Sequence, residues 1–201
     1  NKMMVINMTN KFHSHDYRIR LRTTMQIYWD QIFMTSSASG NLFKSYKLHP
    51  IMADLVYRGF SEIDRVNFGS PHIPDYYSVS KGQKWRDLTG NYTRYGDVLP
   101  LLLDSDNKYV IMNAGDEIKL KFDAFSLPKI KKGWTRDFLF YNDGWLKDGD
   151  LNTAQGQTVE PLPFHGMESY PYKDKGALPN DQFYRNYQEE YNSRVITTEA
   201  F

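Results

Sequence analysis

At 201 residues the chain is long enough to bury a core without a disulfide or metal staple, since a chain of this size buries roughly 70% of its unfolded surface. Its 25 basic and 24 acidic side chains leave a formal charge of +1, a balance that argues against a nucleic-acid partner and against a polybasic membrane patch. Cysteine is absent, which removes disulfides, thiolate nucleophiles and Cys-ligated zinc or iron–sulfur centres.

Residues 1–16 read as an N-terminal extension or arm. In YRIRLRTTMQIYW, residues 17–29, the apolar side chains Tyr17, Ile19, Leu21, Met25, Ile27 and Trp29 alternate with polar ones. This period of two predicts a half-buried strand, bent near Thr23 and Thr24 because it exceeds the usual strand length. Arg18, Arg20 and Arg22 then form a solvated or interface-facing row, a candidate contact for a protein partner. ADLVYRGF (53–60) predicts a further strand. The apolar run Val98–Leu103 is too short to cross a bilayer and is interrupted by Pro100.

In GDEIKLKFDA, Ile118, Leu120 and Phe122 alternate with Glu117, Lys119, Lys121 and Asp123. With a turn at Gly115 and Asp116, the sequence predicts a hairpin against KYVIMN (108–113). RDFLFYNDGW (136–145) is apolar on both faces, the pattern of a central strand. The long stretches 61–96 and 146–180 are rich in aromatic residues and proline, unlike disordered linkers, and predict ordered loops packed over the sheets. A late helix is expected with Asn180 or Asp181 as its cap and Phe183, Tyr187 and Tyr191 on one face. The tail VITTEAF (195–201) reads as an edge strand. Strands separated by turn-rich segments, without alternating helices, predict a single all-β domain over 1–201. The expected form is a β-sandwich, Ig-like or jelly-roll-like, with long ordered loops and one short C-terminal helix.

The chemistry-bearing residues are few. Asp148, Asp150 and Asn152, with Asp143 nearby, reproduce the opening of a calcium loop, because alternate oxygen-bearing side chains converge on one hard cation. The match then fails, since Thr153 stands where such a loop needs glycine and Glu160 falls one position late. His13 and His15 share a face of an extended segment, but no third ligand is identifiable. His165 beside Met167 lacks any haem-attachment motif and reads as a hydrogen-bonded loop histidine. Carboxylates at Asp87, Asp97, Asp116, Asp137 and Glu160 define no acid–base pair without a known separation. No nucleophile elbow, phosphate loop, zinc-protease helix or dinucleotide fingerprint is present. The expectation is therefore a chain without catalytic residues and without a cofactor, calcium at residues 143–152 being the alternative. Trp85, Tyr92, Tyr95 and Trp145 are candidate platforms for stacking sugar rings. In QTVEPLPFHGMESYPY (157–172), Pro161, Pro163 and Pro171 fix φ and withhold ladder donors. They predict a stiff extended belt that packs Phe164, Met167, Tyr170 and Tyr172, with Phe164, Tyr170 and Tyr172 as candidate partner contacts.

The stretches RLRTTMQIYWDQIF, ADLVYRGFS, WRDLTGNYTRYGDVLPLL, YVIMNAGDEIKLKFDA and GWTRDFLFYNDGWLKDGDLNTAQGQTVEPLPFHGMESYPY, with YNSR near the end, resemble a known class of sequence. They are similar to the C-terminal region of large bacterial proteins that carry FG-GAP or ASPIC/UnbV-type repeats, often with tetratricopeptide repeats. The resemblance spans about residues 17–194. It implies an extracytoplasmic bacterial protein, periplasmic, cell-surface or secreted, in which this stretch is an appended β module. The repeats themselves are absent here, which leaves open whether the module is an appendage or a separate subunit. The first residue is Asn1 and no signal-peptide pattern follows, so any export signal or upstream domain is expected outside this sequence. The expected function is a non-catalytic interaction or assembly domain that binds a protein partner or a second copy of itself. The alternative is a carbohydrate-binding module, assisted by calcium.

Overall fold

A computed structural model describes residues 4–12, 14–22, 29, 31–34, 43–64, 67, 73–82, 87–147, 149, 155–173 and 178–197. The chain divides into two compact units, residues 1–45 and residues 46–201.

In the first unit, none of the described residues belongs to a helix or a ladder. Phe12 and Tyr17 meet edge to face at 5.2 Å, and Arg18 pairs with Asp16 at 2.5 Å. The strand predicted over 17–29 is therefore corrected where it is described: residues 17–22 and Trp29 lie in no ladder among the described residues, and Ile19 and Leu21 stay exposed; residues 23–28 lie outside the described residues. Alternation fixes which side chains share a face, but it cannot supply a neighbouring strand.

The second unit is mostly β with one short helix. Strand β1 (Pro50–Tyr57) is central in a three-stranded antiparallel sheet, between β5 (Gly96–Asp97) and β6 (Asp116–Phe122). β2 (Phe60–Asp64) and β3 (Ile73–Ser80) form a hairpin with an irregularity after Ser61. β4 (Gly90–Tyr92) pairs with β7 (Arg194–Ile196); of the tail predicted as an edge strand over 195–201, Val195 and Ile196 lie in this ladder, and residues 198–201 lie outside the described residues. No helix among the described residues is long and apolar enough to cross a membrane.

Register explains the core. Leu55 lies opposite Ile118 and Ala53 opposite Leu120, so the period of two in each strand sends these pairs to one face. There they meet Val98 and Leu101 around a single 3-10 turn (Leu99–Leu101), and Tyr184, Tyr187 and Tyr191 of helix α1 (Gln182–Tyr191). Full burial of Leu55 stabilises the fold by roughly 2 kcal/mol. Asp181 caps α1 by accepting the Tyr184 amide at 2.8 Å. The helix is where the sequence places it, but its inward face differs, since Tyr184 is buried and Phe183 points outward. A second cluster gathers Tyr92, Val159 and Leu162, with Leu88, Ile111 and Ile196 packed on it.

Two predicted strands are corrected. Residues 108–113 do not pair with β6; Ile111 instead exchanges hydrogen bonds with Thr93, its carbonyl accepting the Thr93 amide at 3.0 Å and its amide donating to Thr93 Oγ1 at 2.8 Å. The turn explains why. The Asp116 amide donates to the Asn113 carbonyl at 3.0 Å and the Asn113 amide to Asp116 Oδ2 at 2.7 Å, while Gly115 takes the φ of +89° that side chains disfavour. The Asn113 amide is thus taken by the Asp116 side chain and not by the Asp116 carbonyl, so the reciprocal backbone pair that starts a hairpin ladder is not formed. RDFLFYNDGW (136–145) lies in no ladder: Phe138, Leu139, Phe140 and Tyr141 are 69%, 84%, 64% and 80% exposed.

Candidate functional site

The densest polar constellation joins three segments: the loop 104–109, the open stretch 136–147 and the proline belt. The backbone N–H of His165 donates to Asn107 Oδ1 at 2.8 Å, which fixes that oxygen as an acceptor. The imidazole Nδ1 lies 3.0 Å from the same oxygen and 3.2 Å from the Tyr109 hydroxyl. Nε2 lies 3.1 Å from Asp143 Oδ2, which also accepts the Ser105 hydroxyl. These two hydrogen bonds, Ser105 first and His165 second, hold the Asp143 carboxyl below its ordinary range. The Trp145 indole N–H donates to the Tyr109 hydroxyl at 3.2 Å. Tyr187 of α1 donates to the Tyr109 carbonyl at 2.7 Å, which connects this surface to the core.

The chemistry this arrangement permits is limited. A serine nucleophile needs its hydroxyl on the imidazole, with the carboxylate behind the ring. Here Ser105 donates to the carboxylate, and both imidazole nitrogens face protein oxygens. The cluster ties Asp143 to the belt through His165 and Trp145 to the loop through Tyr109.

Within the belt, Phe164 is buried and meets Tyr172 edge to face at 5.1 Å. Tyr170 donates to the Pro161 carbonyl at 2.8 Å; Tyr170, Tyr172 and Met167 are half-buried. Beside the belt lies a cleft of about 230 Å³ lined by Asn91, Glu160, Leu162, Gln188, Glu189 and Asn192. Glu160 is seated by Asn91, whose backbone and side-chain nitrogens lie 3.3 and 3.2 Å from Oε1. Gly90 permits that approach: a Cβ there, at φ +141°, would stand 2.4 Å from Glu160 Oε2. Lys147 donates to the Val159 and Glu160 carbonyls at 2.9 and 3.2 Å, and burial pulls its ammonium below the ordinary lysine range.

The expected stacking platforms fare differently. Tyr92 is 2% exposed, beneath the Arg194 guanidinium, and offers no face to a ligand. Tyr95 is partly exposed, but Arg194 covers its ring at 4.4 Å and its hydroxyl donates to Asp116. Trp145 remains half exposed, and Trp85 lies outside the described residues. Arg18, Arg20 and Arg22 are exposed in the first unit, Arg18 on Asp16. Of the calcium-loop residues only Asp143 is described, and it faces Ser105 and His165; Asp148, Asp150, Asn152 and also His13 lie outside the described residues. His15 is exposed. Among the described residues no three His, Asp or Glu side chains group as metal ligands.

Sequence reasoning missed Ser105, Asn107 and Tyr109, and also the amide side chains of the cleft. The run Asp104–Asn107 carries a turn signal, but nothing in it announces a partner at positions 143 and 165. No family model, curated protein or solved structure matches the chain.

Proposed function

We propose that this chain is a non-catalytic interaction module that assembles with a protein partner by strand addition at residues 136–145. One observation carries the reading: a segment with the pattern of a doubly buried strand has no ladder among the described residues and leaves its large side chains exposed. With Trp145 and Leu146, which are also exposed, its large side chains present on the order of 800 Å². One side of a standard protein–protein interface contributes about the same area. Unpaired backbone groups and pockets for alternate side chains are what strand addition uses. Pairing here would extend the small sheets toward the β-sandwich expected of the sequence. The resemblance to C-terminal regions of exported repeat proteins supports an extracytoplasmic setting. Amide exchange tests the proposal: amides 137–145 should be protected in the native assembled particle and exchange freely in the dissociated chain. Free exchange in the assembled particle would refute it.

A second reading, carbohydrate binding, is favoured by the cleft. Its amides and carboxylates match a ligand rich in hydroxyl groups, with Leu162 as the apolar contact. Saturable binding on a glycan array, lost in Gln188→Ala and unaffected by chelator, is the expected result; absence of binding to any glycan removes this reading.

A further inference from the structure

The balanced total charge, which argues against a basic patch, conceals a segregated one. Residues 124–136 hold Lys129, Lys131, Lys132 and Arg136 and none of the chain's 24 acidic side chains, so the remainder of the chain is net acidic. We infer that the loop 125–134 is a peripheral contact for the headgroup region of an anionic lipid bilayer.

The loop is shaped by its own hydrogen bonds. Arg136 donates to the Pro128 carbonyl and closes the base. At the tip, the Trp134 amide donates to the Lys131 carbonyl at 3.0 Å, a turn that brings Lys131 and Trp134 to within about 7 Å at Cα. A Cβ placed on Gly133, inside that turn, would meet no atom within 4 Å, so the tip stands in open space. At the entry to the loop, Asp123 accepts the Phe125 amide at 3.0 Å and caps a 3-10 turn (Ala124–Ser126), and the Phe125 ring is fully exposed.

The side chains combine two kinds of surface. Lys129, Lys131 and Lys132 are exposed and have no carboxylate partner among the described residues. Interleaved with them, Ile130 and Trp134 are 54% and 41% exposed. Cations alone would suit any polyanion, but a phosphate backbone would leave Ile130 and Phe125 in water. An anionic bilayer answers both: its headgroups attract the ammonium groups, and its interface takes up the indole, phenyl and aliphatic side chains. This surface uses none of residues 137–145, so it stands or falls separately from strand addition.

Flotation of the chain with vesicles tests the inference. The chain should float with mixed phosphatidylglycerol and phosphatidylcholine vesicles at low ionic strength, less so as salt is added, and not with phosphatidylcholine alone. Each cation near an anionic surface strengthens binding about fivefold, so the triple variant Lys129→Gln, Lys131→Gln, Lys132→Gln should bind about a hundredfold more weakly. Trp134→Ala, with the lysines intact, should bind the mixed vesicles severalfold more weakly and heparin as the wild type does. All these positions are exposed, and circular dichroism identifies folded variants. Absence of wild-type flotation with the mixed vesicles, or equal flotation of the folded triple variant, overturns the inference. Vesicle binding unchanged in Trp134→Ala, with heparin binding lost in the triple variant, marks a general polyanion site and overturns the lipid as ligand.

Discussion

Arg194 shows how one side chain joins sheets that share no ladder. Standing on β7, it reaches Asp116 on β6 at 2.5 Å, the Tyr95 hydroxyl at 3.1 Å and the Thr93 carbonyl at 3.0 Å, while its guanidinium covers the rings of Tyr92 and Tyr95. The Asp116 side chain is 1% exposed and is held by these donors and by the Asn113 amide. Removing the cation leaves a buried carboxylate with no counter-ion among the described residues. Arg194→Ala should cost about 3–5 kcal/mol in urea unfolding at neutral pH. Arg194→Lys should recover only part of this, because lysine has neither the planar fork nor the stacking surface. A loss below about 1 kcal/mol would place the pair with ordinary surface ion pairs and contradict this account. None of it was legible in the sequence, where Asp116 read as a turn residue and Arg194 carried no signal. A bond between positions 78 residues apart leaves no local pattern.

Among the elements, the open segment is attached at a few points: Phe140 on Phe122, Asp143 on Ser105 and His165, Trp145 on Tyr109, and Lys147 on the belt carbonyls. The Asp143 attachment depends on pH in a definite direction. A carboxyl whose folded value is depressed gives its full stabilisation above its unfolded value and loses it as the pH falls through the folded value. The loss at Asp143 should therefore begin only below its ordinary 3.8. The indole N–H resonance of Trp145 should shift over that range and should not do so in Asp143→Asn; a resonance unmoved in the wild type would show that the attachment does not hold the segment. Local patterns served unevenly at this scale. β1, β6, the helix and its cap, and the first residues of the tail strand were legible, because alternation, capping and helical spacing act within a few residues. The hairpin over 108–123 was not, because β6 finds its apolar complement in β1, some 60 positions earlier. The helix face was misjudged because Phe183 and Tyr184 are adjacent, and the tyrosine is the one buried in the cluster that holds Val98 and Leu101.

For the molecule as a whole, the near-neutral charge and the exposed apolar stretch point the same way. A chain with a formal charge of +1 has little self-repulsion to oppose association, and an exposed apolar stretch of this size is the kind that contact surfaces carry, in line with the proposed strand addition. On the proposed reading, residues 136–145 become a strand only when a partner pairs with them. Amide exchange of the native assembled particle, set beside that of the dissociated chain, decides this. Ala53 and Leu55 should be protected in both, while amides 137–145 should exchange freely in the dissociated chain and be protected in the particle. Free exchange of amides 137–145 in the particle would refute the reading.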